Sequence, residues 1–246
     1  MFRGWKRRLA ASLAWCVSSS ASGELPQQET LHFRVEWRLI TAGRARIEWS
    51  GGAPGGHIRL RLESVGLVSK LYKVDDDYTS TLDSKLCAIA SFLTAHEGRR
   101  HRDTRVAFDH ERKKASYIER DLQKDVVLDR KEIDIQPCTQ EIMGALYRLR
   151  TMELETGQTA QIPVSDGKKS VLVKVVAQQR ERIKTPGGEF QAMRYEAHLF
   201  NNVLYRRPGR VYIWLAEDRK RTPVQIQVRL QFHIGTITFQ LEKEQT

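Results

Sequence analysis

Leu31-His32-Phe33-Arg34-Val35-Glu36-Trp37-Arg38-Leu39 alternates apolar and polar side chains along its whole length. A strand points successive side chains to opposite faces, so this stretch buries one face and wets the other. The same period continues downstream. Ala45, Ile47 and Trp49 alternate with Arg44, Arg46 and Glu48, and Ile58, Leu60 and Leu62 alternate with His57, Arg59, Arg61 and Glu63. Thr41-Ala42-Gly43 reads as the first connection, and Gly51 to Gly56, with Pro54, as a flexible loop.

Further strands are expected over 73–82, 87–96, 102–108, 115–120 and 126–135, with a helical turn over 67–72. After the helix described next, the period returns to two over 170–183, 190–200, 203–206, 210–215, 224–232 and 234–241. Ser165-Asp166-Gly167-Lys168 and Pro186-Gly187-Gly188 mark tight turns between them.

One segment breaks the pattern. Ile142, Ala145, Leu146, Leu149 and Met152 recur at helical spacing, so a helix is expected over 137–152. Pro137 is tolerated at a helix start, and Thr139 can cap the free N–H groups there. Short connections favour antiparallel meanders. The expected fold is therefore mainly β, with antiparallel meander sheets that are curved or barrel-like and one principal helix in the middle of the chain. Residues 24–246 form a single β-rich domain, or two sheet halves joined by that helix.

The N-terminus has the order of a secretory leader. Arg3, Lys6, Arg7 and Arg8 precede the short apolar run Leu9 to Val17, and small residues follow to Gly23. A cleaved signal peptide over 1–23 implies a periplasmic or cell-envelope location. Trp15 argues against a lipid anchor on Cys16, and no later stretch is long enough for a transmembrane helix. The whole chain carries 41 Lys plus Arg against 30 Asp plus Glu; losing the leader's four cations leaves 37 against 30, about +7. Export disfavours nucleic acid as a partner.

An oxidising compartment permits a Cys87–Cys138 disulfide, with two buried thiols as the alternative. Arg99, Arg100, Arg102 and Arg105, beside His96 and His101, form the densest basic cluster. It reads as an anion or headgroup site, or as a solvated hairpin. Trp37, Trp49 and Trp214 could line a hydrophobic ligand groove or fill the core. Asp75-Asp76-Asp77 lacks calcium-loop spacing, since Asp76 faces away from its neighbours. No metal site or cofactor is expected, and none of the common catalytic motifs is present.

The blocks Val74-Asp75-Asp76-Asp77-Tyr78, Glu97-Gly98-Arg99, Pro137-Cys138, Gln140, Ala145-Leu146-Tyr147, Asp166-Gly167-Lys168, Thr185-Pro186-Gly187-Gly188 and Trp214-Leu215 resemble, in that order, the domain of unknown function 3108 family of exported Gram-negative proteins. Glu141 stands where that family usually has aspartate. The resemblance implies export and a β-rich fold, and carries no catalytic residues. The expected function is a non-catalytic envelope protein holding a hydrophobic or lipid-like ligand in a curved sheet. A structural or interaction module that binds another envelope protein is the alternative, and an unrecognised glycan hydrolase a remote one.

Overall fold

The computed structural model describes residues 23–38, 40–52, 55–230 and 235–245. Residues 1–22 of the expected leader, Cys16 among them, and Leu39, Pro54, Phe232 and Ile234 lie outside the described residues. The first half runs β1 (Gln28–Trp37), β2 (Ile40–Gly52), β3 (Gly55–Ser64), the short helix α1 (Gly66–Leu71), β4 (Val74–Asp83), β5 (Ala88–Glu97), β6 (Arg100–Asp109), β7 (Lys114–Asp121) and β8 (Val126–Asp134). Helix α2 (Ile142–Arg150) follows. The second half runs β9 (Thr159–Ser165), β10 (Ser170–Thr185), β11 (Gly188–Ala197), β12 (Gly209–Ala216), β13 (Pro223–Leu230) and β14 (Thr236–Gln245).

All fourteen strands belong to one antiparallel sheet ordered β8-β7-β6-β5-β4-β3-β2-β1-β14-β13-β12-β11-β10-β9. Each half is a meander, and the pairing of β1 with β14 joins them. Every turn therefore falls at one of two ends. The α2 segment lies at one, here the helix end, with the first and last described residues. The β1–β2, β3–β4, β5–β6, β7–β8, β9–β10, β11–β12 and β13–β14 connections lie at the other, the loop end.

Strands β8 and β9 are the sheet's edges and do not pair with each other. Side chains of the β9–β10 turn close the gap instead. The Lys168 ammonium reaches Glu119 on β7 (2.9 Å) and Asp129 on β8 (3.3 Å), and lies 4.5 Å from the Tyr117 ring centroid. Burial works against the Glu119 carboxylate, but hydrogen bonds from Lys168, Tyr117 and Arg102 outweigh it and hold its pKa below the usual range. Gly167, at φ +86°, approaches so closely that a Cβ would stand 2.7 Å from Val106 and 2.8 Å from Tyr117.

Several boundaries differ from the sequence expectation for local reasons. Thr41 to Gly43 lie inside β2, because the chain already turns at Arg38, whose φ is 50°. The glycines around position 54 extend β2 and β3 rather than forming a loop. They leave room for the Trp49 indole, which a Cβ on Gly56 would meet at 2.1 Å. Val203 to Arg206 form no strand. Asn201 and Asn202 both take positive φ, and the N–H groups of Leu204 and Tyr205 both donate to Leu199 O at 2.9 Å. Strand β9 escapes the sequence reading because Pro163 interrupts it, which an edge strand tolerates.

Replacing Gly167 by alanine is expected to cost about 1–3 kcal/mol, from positive φ and the collision with Val106 and Tyr117. Urea unfolding measures it; a loss below about 0.5 kcal/mol would remove this steric account of the seam.

Candidate functional site

Helix α2 closes the helix end, and both its termini are clasped. At its start Cys138 is bonded to Cys87, with Cα atoms 4.6 Å apart. The Gln140 N–H donates to Pro163 O and its carbonyl accepts from Ser165 N–H, both at 2.9 Å, which keeps the chain extended beside β9. The helix therefore begins later than Pro137. Glu141 is its cap: the carboxylate accepts from the N–H groups of Met143 (2.5 Å) and Gly144, and from the Tyr78 hydroxyl on β4 (2.5 Å). Thr139, the expected cap, donates to Gln136 O at 2.7 Å instead. Burial pushes the Glu141 carboxyl above its ordinary pKa, although those hydrogen bonds favour its charged form.

At the other terminus the Arg150 guanidinium grips Glu29 of β1 through both nitrogens, and both side chains are fully buried. Arg150 also donates to Lys220 O (3.0 Å), and the Tyr147 hydroxyl donates to Glu29 (2.9 Å). The Tyr147 ring stacks on Trp49 with centroids 4.6 Å apart. A charged residue on an apolar face was the available signal for this clasp. Glu29 continues the inward series Leu31, Phe33, Val35, and Arg150 follows Met143 and Tyr147 at helical spacing.

The opposite side of α2 presents Ile142, Ala145, Leu146 and Leu149 to a cavity of about 260 Å³. Phe33, Ile47, Leu60, Val175, Ile213 and Phe239 are among the strand residues around it. Every lining side chain is apolar except for the hydroxyl of Tyr205. Leu199, Phe200 and Tyr205, from the β11–β12 loop, cover the cavity at the loop end. Tyr205 is also exposed, which places the mouth there. Lys169 Nζ holds this loop by Asn202 O (2.9 Å).

The three tryptophans do not line this cavity. Trp49 is buried against Tyr147, and its N–H donates to Pro26 O (2.8 Å). Trp214 is buried with its N–H on Glu181 (2.7 Å). Trp37 is half-buried at the end of β1, with the Arg38 guanidinium 5.1 Å from its ring centroid. The arginine cluster is divided. Arg99 and Arg100 are exposed at the β5–β6 turn, Arg102 bonds Glu119, and Arg105 lies over the Phe92 ring at 5.1 Å. The aspartates divide likewise: Asp77 and Asp75 pair with Arg59 (2.5 Å) and Arg61 (3.5 Å), while Asp76 accepts from His96 N–H (3.0 Å).

A second, polar cleft of about 450 Å³ lies at the helix end, beside Arg180, Tyr195 and Arg221. Arg180 bridges two of its carboxylates, Glu155 (2.8 Å) and Glu217 (2.5 Å), and Arg219 holds Glu24 (3.1 Å). Glu153 and Asp218 line the same cleft, and Asp218 accepts from the Thr222 N–H (3.1 Å).

The chain matches the model of DUF3108, a protein family of unknown function, over residues 32–242. It belongs to the DUF3108 family. No curated protein matches it. Among solved structures, this DUF3108 chain is similar to a β-barrel-like DUF1849 protein from Brucella abortus. The TM-score is 0.61 at 11% identity, covering 90% of this chain and 98% of that one. A provisionally named lipoprotein from Parabacteroides distasonis gives a TM-score of 0.41 at 11% identity, over 92% and 99% of the chains. A provisionally named exported protein from Bacteroides fragilis gives 0.39 at 8%, over 92% and 99%. The first shows the barrel-like architecture and nothing about ligand.

Two expectations follow from these buried charges. Arg150→Met leaves Glu29 buried without its charge partner and is expected to cost about 3–5 kcal/mol; adding Glu29→Leu should recover a large part of that. Urea unfolding of both variants tests this, and a double variant as unstable as the sum of the singles would contradict it.

Asp76 supplies a pH dependence. Burial, then the charges of Glu97 and Asp75, push its carboxyl from 3.8 up to about 6, against the His96 N–H that pulls it down. The folded state thus holds this proton more tightly than the unfolded chain. Asp76's contribution is full below about pH 4 and is lost as pH rises through about 6. The stability of Asp76→Asn relative to the parent should therefore grow across that window, read from thermal melts; a constant difference would exclude the shift.

Proposed function

We propose that the protein is exported through a cleaved leader and works in the periplasm or cell envelope as a non-catalytic carrier. It holds the alkyl part of a lipid-like ligand between α2 and the β11–β12 loop. The observation that carries this reading is the chemistry of the cavity wall. A polar ligand entering it would lose its hydrogen bonds to water and find almost none in return, which costs several kcal/mol. A cavity lined only by apolar groups stays dry, and one of roughly 150 Å³ already admits a benzene-sized guest. Each methylene transferred from water contributes about 0.8 kcal/mol. The Cys87–Cys138 bridge suits an oxidising compartment.

A second reading is an interaction module working through a sheet edge. Strand β8 favours it, being an edge whose first residues, Val126 to Leu128, are exposed. The register shift beside Leu128 and the charges at Asp129 to Glu132 blunt that edge against pairing.

Lipid extraction and mass spectrometry of periplasmic protein should find a co-purifying amphiphile. Ala145 faces the cavity from α2, so Ala145→Phe should fill it, keep the melting temperature, and weaken a fluorescent fatty-acid probe by about tenfold or more. Undiminished probe binding in that variant, or lipid-free protein that binds no probe, would sink the carrier reading.

A further inference from the structure

The two ends of the barrel differ in character. Eleven large apolar side chains are exposed among the described residues, and only Ile89 sits at the helix end. The other ten lie in loop-end connections or in the first three residues of a strand leaving them. They include Ile40, Leu67, Leu71 and Tyr72 around α1, Leu122 in the β7–β8 turn, and Tyr205 at the cavity mouth. Single exposed apolar residues are ordinary, but their concentration at one end is not.

Charge follows the same division. The loop-end connections carry nine Lys and Arg against two Asp and Glu. The helix-end connections, with residues 23–27, carry eight against seven. Lys70 and Lys73 flank Leu71 and Tyr72, and the Gly98 N–H donates to Lys73 O at 2.7 Å, which brings Arg99 beside α1.

We propose that the loop end docks on the surface of a membrane containing anionic phospholipid. Exposed aliphatic and aromatic side chains enter the interface while the surrounding cations meet phosphate headgroups. The docked end is the end where Tyr205 marks the cavity mouth, so a bound lipid chain passes between bilayer and cavity without crossing water. This last step rests on the carrier reading; docking itself does not.

Vesicle co-sedimentation tests the proposal. The purified protein should bind vesicles of phosphatidylethanolamine and phosphatidylglycerol, bind phosphatidylcholine vesicles about tenfold less, and lose affinity as salt rises. Lys70→Glu with Arg99→Glu, and separately Leu67→Ser with Leu71→Ser, should each lower binding by about tenfold or more. Lys85→Glu with Arg112→Glu makes the same change in net charge at the helix end and should alter binding less than about twofold. Equal losses from the two charge pairs, or no binding to anionic vesicles at low salt, overturns the docking surface. Fatty-acid probe affinity separates the two proposals. The loop-end pairs should leave it unchanged, and Ala145→Phe should lower it by about tenfold or more while keeping vesicle binding. A protein that binds probe but no vesicles leaves the carrier reading standing and removes the docking surface.

Discussion

The buried pair between Arg150 and Glu29 is the constraint on which the interior depends. Burying two charges is expensive, and a well-packed apolar pair of similar volume would often be as stable. What the ion pair adds is direction. Glu29 can satisfy both guanidinium nitrogens and the Tyr147 hydroxyl only with α2 in one place and one rotation. Lys220 O brings the β12–β13 loop to the same point. Three segments distant in sequence are thus tied where the barrel needs a floor. The Cys87–Cys138 bridge and the Glu141 cap do the same at the opposite terminus. With both termini held, the exposed path into the cavity is at the loop end.

The seam between β8 and β9 has the opposite character. No backbone ladder closes it; Lys168, its two carboxylates and the close seating of Gly167 span the gap. A hydrogen-bonded barrel fixes its circumference through strand number and stagger. Here the circumference is set by side chains and by how tightly α2 and the β9–β10 turn pack. A floor held rigidly and a wall closed by side chains is a combination that can take in apolar volume without breaking a sheet.

The alternation was most legible where one face is buried, as along β1, β2, β7 and much of β10. Leu31, Phe33 and Val35 are buried as their spacing predicts, and the antiparallel meanders and mid-chain helix follow from short connections and one change of period, whereas the β1–β14 pairing that makes them one sheet does not. Ends were less legible, because they depend on partners elsewhere. The start of α2 is set by β9 and Cys87, not by Pro137, and the Asn201–Asn202 turn removes a strand that Val203 to Tyr205 imitates. The site was the least visible. Its wall takes one or two aliphatic residues from each of many strands, and no local pattern distinguishes an aliphatic that lines a cavity from one that fills a core.

Tryptophan is a poor marker of this cavity for a physical reason. An indole brings a donor that must be satisfied when buried. Trp49 and Trp214 have theirs satisfied by Pro26 O and Glu181, which makes them fixtures of the frame. A chamber for alkyl chains needs the reverse: side chains with no hydrogen bond to keep, able to shift rotamer around guests of different length. The Leu, Met and Phe side chains of the wall have that property, its β-branched Val and Ile lack only the rotamer freedom, and the scarcity of polar groups also limits what the cavity can discriminate. With almost no polar group inside, it cannot read a headgroup. Affinity there can rise only with the apolar surface a guest buries, until the space is full. If the proposed carrier role holds, selection by headgroup falls to the rim, where Lys169 binds the carbonyls of the loop that covers the mouth.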